Sequence, residues 1–225
     1  MKKWTQLEKA ATPDGGVIAL FEHDGSYTIR LNGMDLMSTR RYASEEDLAT
    51  LTCQPLSKKK GVRVLIGGLG CGFTLRAALA VLGPDAQVVQ AELIPAVVAW
   101  NRNPAYCLGG DALADKRTQV VERDVVEVIR QNPAGFDAIL LDVDNGPSGL
   151  TTDSHGPLSR LYGEAGLCEC KRALRPGGCL GVWSAQAAHG FPLRMASIGF
   201  AVATHRAPAH RSGGLAHTLF LGRLG

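Results

Sequence analysis

Long apolar runs are missing from this chain. None approaches the roughly 20 residues a helix needs to cross a bilayer, and the opening M-K-K-W-T-Q-L-E-K holds no apolar stretch of secretory-leader length. The expected location is therefore the cytoplasm, with no membrane partner. Basic runs are also scarce: Lys58-Lys59-Lys60 stands alone, and 24 Lys and Arg against 21 Asp and Glu leave a net charge of +3. So small an excess excludes an electrostatic case for nucleic-acid binding. Metal-ligand spacing is lacking too. Cys168-Glu169-Cys170 has neither the spacing nor the partners of a zinc site, and the six histidines follow no ligand pattern, so no metal is expected. The six cysteines sit mostly in apolar segments and read as reduced structural thiols. Internal repeats and low-complexity tracts are absent.

What remains is an ordinary globular composition, 45% hydrophobic and 20% charged over 225 residues. That length allows one substantial core, or one domain with a small appendage. Val62, Val64, Leu65 and Ile66 form a short β-branched-rich run that reads as a strand buried on both faces. Gly67, Gly68, Gly70 and Gly72 follow at once, and helical spacing then runs through Leu75, Ala78, Leu79 and Leu82. Strand, glycine turn and helix open a nucleotide-binding βα unit, in which the first helical N–H groups face the ligand. Taken alone, the glycines are equally a tight strand-to-helix turn.

Further strands are expected over Gln87–Leu93, Gln119–Glu122, Phe136–Asp144 and Gly178–Ala185, with final strands at Phe200–Thr204 and His217–Leu221. Helices are expected at Pro95–Asn101, Val125–Gln131, Leu158–Leu174 and Phe191–Ile198, and Asn145–Pro157 reads as a long mobile loop over the site. Strands alternating with helices and ending in an antiparallel pair give an α/β fold, a Rossmann-like, doubly wound, mostly parallel seven-stranded sheet. Residues 1–55 differ. Val17–Glu22, Tyr27–Leu31 and Met34–Ser38 are short strands separated by Asp24-Gly25 and Asn32-Gly33, which predicts a small antiparallel β meander. Ser44 is expected to cap a helix running through Leu48 and Leu51 to Pro55. The expected division is a meander plus helix at 1–55 and a Rossmann-like domain at 56–225. So small a meander must pack on the main domain or on a second subunit, and a homodimer is expected.

The loop G-L-G-C-G-F-T-L-R, D-V-D-N-G-P at 142–147, L-Y-x-x-x-G-L at 161–167 and L-R-P-G-G at 174–178 together resemble the class I S-adenosylmethionine-dependent methyltransferase fold. More narrowly they resemble its spermidine synthase-like branch. The resemblance implies that Gly68, Gly70 and Gly72 face the methionine end of S-adenosyl-L-methionine and that Glu92 takes the ribose hydroxyls. Asp124 with Val125 would meet the adenine. A solvated strand-end acid and a helix N-cap are the plain alternatives for Glu92 and Asp124. The strand-end rule independently gathers these residues with Asp142 on one rim.

In aminopropyltransferases the aspartate matching Asp142 binds and deprotonates the attacking amine, and Asp144 lies near that family's second aspartate. Asp142 is thus the expected base and Asp144 a secondary anchor, with a turn-forming Asp-Asn-Gly as the alternative. Tyr162 and Trp183 are expected either to line an aromatic substrate pocket or to pack in the core. That family's Tyr-His-Glu motif corresponds here to Tyr42-Ala43-Ser44-Glu45-Glu46, which marks Glu46 as a substrate contact. The sequence departs from the family at Cys71, where aminopropyltransferases carry an aspartate. That departure favours a methyltransferase acting on a small, cationic amine-bearing nucleophile over an aminopropyltransferase using the decarboxylated donor. A non-catalytic nucleoside-binding scaffold is the third reading. His155 is the one histidine singled out for a catalytic test.

Overall fold

The computed structural model describes residues 3–106, 108–143, 146–149 and 157–225. Asp144, His155, Cys107 and most of the expected 145–157 loop lie outside them. In chain order the elements are β1 (Thr5–Ala11), β2 (Val17–His23), β3 (Ser26–Leu31), β4 (Met34–Ser38), α1 (Ala43–Cys53), β5 (Arg63–Gly67), α2 (Phe73–Val81), β6 (Gln87–Ala91), α3 (Pro95–Arg102), α4 (Gly110–Ala114) and β7 (Thr118–Val121). There follow α5 (Val125–Arg130), β8 (Phe136–Leu141), α6 (Pro157–Tyr162), α7 (Glu164–Ala173), β9 (Leu174–Ser184), α8 (Phe191–Ile198), β10 (Ala201–Pro208) and β11 (Ala216–Arg223).

Seven strands form one sheet in the order β10-β11-β9-β8-β5-β6-β7. The β9-β8-β5-β6-β7 strands are parallel, and β10 and β11 are antiparallel additions at one edge. Because the chain winds outward from β5 through β7 and then returns to lay β8 beside β5, the order reverses between β5 and β8. Ligands of such sheets bind in the crevice outside the strand ends at that reversal.

Alternation along the central strands builds two cores, one on each face. Val64, Ile66, Ala138 and Leu140 join the first, whereas Leu65, Ile139 and Leu141 join the second. Every residue of Phe136–Leu141 is buried, as a strand covered on both faces requires. Asp137 is the acid in that run. Lys59 and Arg175 each reach it at 2.7 Å and Arg63 N–H donates to it at 2.8 Å, so its charge is matched where it is buried.

The meander is a four-stranded sheet, β1-β2-β3-β4, rather than the three strands expected. Thr5–Ala11 alternates too little in hydrophobicity to be read as a strand, and its pairing with β2 decides it. Ile18, Leu20 and Ile29 enter the first core beside Leu48, Val64 and Ile66, each contributing about 1.5–3 kcal/mol of burial. The meander's inner face is therefore covered by the core that lies on one face of the seven-stranded sheet.

Three local readings are corrected. Ser44 does not cap α1: the helix begins at Ala43, Tyr42 takes the cap position without a side-chain bond, and the Ala209 carbonyl accepts the Tyr42 and Ala43 N–H groups. The helix expected over 158–174 is two helices, because Gly163 between them is extended. The fifth strand starts earlier, at Leu174, and residues 175–178 loop out opposite Asp137 before pairing resumes at Cys179.

Candidate active site

The β5–β8 reversal carries a cavity of about 180 Å³. Its lining includes Gly68, Gly70, Glu92, Ile94, Val97, Asp124, Val125, Asp142 and Trp183 from the main sheet, and Ile18, Ile29, Leu36, Met37 and Glu45 from the N-terminal part. The glycine positions have distinct causes. At Gly68, with φ +87°, a Cβ would stand 2.0 Å from the Asp142 carbonyl oxygen, so only glycine lets the end of β8 approach the loop. A Cβ at Gly70 would overlap the Met37 sulfur at 2.3 Å. Met37 holds its place by accepting the Cys71 N–H at 2.9 Å. Gly72 is not part of the lining, contrary to expectation. It starts α2 in the left-handed region, and its backbone packs on Gly109.

Glu92 follows β6 and is 8% exposed. Its two carboxylate oxygens accept the Leu69 and Ile94 N–H groups, each at 2.9 Å, which ties the acid to the glycine loop. Asp124 serves as the N-cap of α5, accepting Val126 N–H at 2.9 Å, and also lines the cavity with Val125. The N-cap reading of Asp124 holds, and the same residue faces the cavity.

Asp142 directly follows β8, and its N–H donates to the Gly67 carbonyl at 2.9 Å. Thr74, at the start of α2, donates its hydroxyl to Asp142 Oδ2 at 2.6 Å. Burial raises the Asp142 carboxyl to about 6, and the Thr74 bond opposes that shift. The second acid of the cavity is Glu45, only 4% exposed. Burial, then the Asp142 charge, pushes its carboxyl up to about 8, against the Ser44 hydroxyl bond that favours the ionised form. Glu45 thus feels the Asp142 charge across the cavity, and among the described residues no cation is ion-paired with either acid.

Glu46, the expected substrate contact, is corrected by this geometry. It turns away from the cavity and ion-pairs with Arg211 on the outer side of α1. The motif register is one residue off here, and the inward position on α1 falls on Glu45. Tyr162 is also corrected: it is fully buried, stacks edge-on against Phe191 at 5.9 Å and donates to the Val143 carbonyl at 3.3 Å, apart from the cavity lining. Trp183 does line the cavity, and its indole N–H donates to Ser44 Oγ at 3.0 Å. Cys71 is buried behind the loop with its thiol pushed up to about 12, first by burial and then by the nearby Glu45 charge. Sequence reasoning passed over Glu45, Met37 and Thr74 as site residues and read Ser44 only as a cap. Only Thr74 carried a local signal, a hydroxyl at the second position of the helix after the glycines.

No protein-family model matches the chain. Over 120 residues it is 34% identical to polyamine aminopropyltransferases of Mycobacterium tuberculosis and Mycobacterium bovis, a match covering 52% of this chain and 21% of each relative. The match thus spans about a fifth of those curated relatives' length. Solved structures are similar over nearly the whole chain. A spermidine synthase in complex with the transition-state analogue AdoDATO superposes with a TM-score of 0.75 at 19% identity, covering 98% of this chain and 72% of that one. The spermidine synthase of Thermotoga maritima gives a TM-score of 0.75 at 20% identity, covering 98% and 73%. The fold is therefore spermidine synthase-like. The expectation of a methyltransferase is corrected here: the curated relatives and these structural neighbours carry aminopropyltransferase and spermidine synthase names, which supports the alternative.

Proposed function

We propose that the chain is an aminopropyltransferase, joining the aminopropyl group of decarboxylated S-adenosylmethionine to a small amine. The observation that carries this reading is the pair Glu45 and Asp142, two carboxyls in one cavity beside the glycine loop with no ion-pair partner among the described residues. Cys71 had argued against it, because the loop lacks the expected aspartate. Glu45 answers that objection by bringing a carboxylate from α1 close enough to raise the Cys71 thiol. Two acids favour a donor ending in an ammonium and oppose one ending in a carboxylate, so ordinary S-adenosylmethionine fits poorly.

In this reading Glu92 takes the ribose hydroxyls, Asp124 and Val125 meet the adenine, and the apolar side chains of Ile94 and Val97 flank the nucleoside. The cavity is smaller than the roughly 300–1,000 Å³ usual for ligand pockets, so the flexible Met37 side chain swings off Gly70 when the donor enters. The acceptor amine sheds a proton to the carboxylate pair, and its nitrogen attacks the carbon on sulfur in line. A C–N bond forms as the C–S bond breaks, its electrons staying on sulfur. Positioning supplies most of the rate, with Asp142 as base and Asp144 as the proposed secondary anchor. Association as a homodimer is a further proposal, read by light scattering.

Calorimetric titration tests the assignment. Decarboxylated donor should bind at least about tenfold tighter than S-adenosylmethionine, and the preference should vanish in Glu45→Gln. Equal affinity of the wild type for both would overturn it.

A further inference from the structure

The reaction proposed above releases one proton per turnover: an ammonium acceptor enters and a secondary ammonium leaves, so one hydrogen ion must exit the cavity. Glu45 is joined to β11 through a short polar chain. Ser44 Oγ donates to Glu45 Oε2 at 2.5 Å and lies 2.8 Å from His217 Nδ1, although 173 residues separate Ser44 from His217. Trp183 N–H donates to the same Ser44 oxygen, and its ring meets the His217 ring edge-on with centroids 4.6 Å apart. Ser44 is fully buried, whereas His217 on β11 is 8% exposed.

We infer that Ser44 and His217 form the exit relay for that proton, an inference that rests on the proposed aminopropyl transfer. The hydrogen-bond inventory allows two complete arrangements. With Glu45 ionised, Ser44 donates to Glu45 and receives His217 Nδ1–H and Trp183 N–H. With Glu45 protonated, Glu45 donates to Ser44, Ser44 donates to His217 Nδ1, and Trp183 N–H stays where it is. Passing between them moves a proton from Glu45 to His217 Nδ1, while Nε2 yields one to solvent. Trp183 has no acceptor atom, so it fixes the Ser44 oxygen without diverting the proton. The groups facing His217 support this. Arg41, ahead of α1, and His210, on the β10–β11 connection, act with burial to lower its pKa and keep the ring neutral and able to receive. Facing Glu45 are Asp142 and, more weakly, Glu46 on its own helix.

Both residues act through Glu45, which makes them positioning residues with a proton-transfer role, and the test must separate that from packing. His217→Asn keeps a hydrogen-bonding atom near Nδ1 and removes the second ring nitrogen. It should lower turnover about 10- to 100-fold with donor affinity held within a few-fold, increase the solvent deuterium isotope effect, and recover on adding imidazole. Full turnover in His217→Asn, or a loss that imidazole leaves untouched and donor affinity follows, would overturn the relay. A second readout needs no turnover: ring ¹⁵N shifts of His217 should switch tautomer as Glu45 titrates, and the switch should disappear in both Glu45→Gln and Ser44→Ala. A tautomer indifferent to these substitutions would overturn the relay whether or not the chain transfers an aminopropyl group. A tautomer switch in a chain that makes no aminopropylated product would uphold the hydrogen-bonded path and reject the proposed reaction instead.

Discussion

Replacing Glu45 with Gln should make the protein more stable in mild alkali while disabling its site. In the folded chain burial and Asp142 hold the Glu45 carboxyl up at about 8, against an ordinary value of 4.5. Between those values the folded state keeps a proton that the unfolded state has released, so stability falls as pH rises. Each pH step inside that window removes about 1.4 kcal/mol. His217 works the other way, since its lowered pKa makes stability rise with pH up to its ordinary value of 6.5. The range from pH 6.5 to 8 therefore isolates Glu45. Over it the wild type should lose about 2 kcal/mol, or about 4–8 °C in Tm for a chain of this size. Gln keeps the shape and an oxygen for the Ser44 hydroxyl but cannot ionise, so the variant's Tm should stay nearly level. Thermal unfolding of both proteins at half-unit pH steps reads this directly. If the two Tm curves fall in parallel, Glu45 does not titrate as the buried partner of Asp142.

Other substitutions probe the neighbours. Thr74→Val removes the bond that opposes the raised Asp142 carboxyl, so the acid limb of the pH–rate profile should move to higher pH and turnover should drop several-fold; an unmoved limb would exclude this role. Gly68→Ala puts a Cβ against the Asp142 carbonyl in a left-handed backbone, and denaturant unfolding should show a loss of about 3 kcal/mol or more. Glu92→Ala should weaken donor binding by about 1.5–3 kcal/mol in calorimetric titration, because charge-assisted bonds are lost and the Leu69 and Ile94 N–H groups lose their acceptor. Asp142→Asn should cut turnover by about 10²–10⁴-fold with donor affinity within a few-fold, measured by steady-state kinetics.

The parts of this site that a reader of the sequence could find are those set by local pattern. A β-branched run followed by Gly67, Gly68, Gly70 and Gly72 can do little else than turn from strand to helix, and the strand-end rule then gathers Glu92, Asp124 and Asp142. Glu45 was hidden by one residue of helix register. Ser44 has the chemistry of a cap, yet its hydroxyl is drawn to Glu45 with His217 and Trp183 as neighbours, and α1 starts at Ala43. Neighbouring helix residues point about 100° apart, so a motif register wrong by one residue exchanges Glu45 for Glu46. That exchange also decided the chemistry: with Cys71 in the loop and no inward acid in view, the sequence favoured a donor bearing a carboxylate. Thr5–Ala11 was missed, and Tyr162 was left between pocket and core, for a related reason, since strand pairing and core packing, not local composition, fix both.

The central claim is aminopropyl transfer, and mass spectrometry of a single reaction tests it most directly. The chain is incubated with decarboxylated S-adenosylmethionine and a panel of short diamines, alongside a parallel reaction containing S-adenosylmethionine. The account predicts a diamine extended by one aminopropyl group together with an equal amount of methylthioadenosine, and no methylated amine in the parallel reaction. Methylated amine from S-adenosylmethionine, or no product while calorimetry shows the decarboxylated donor bound, would contradict it.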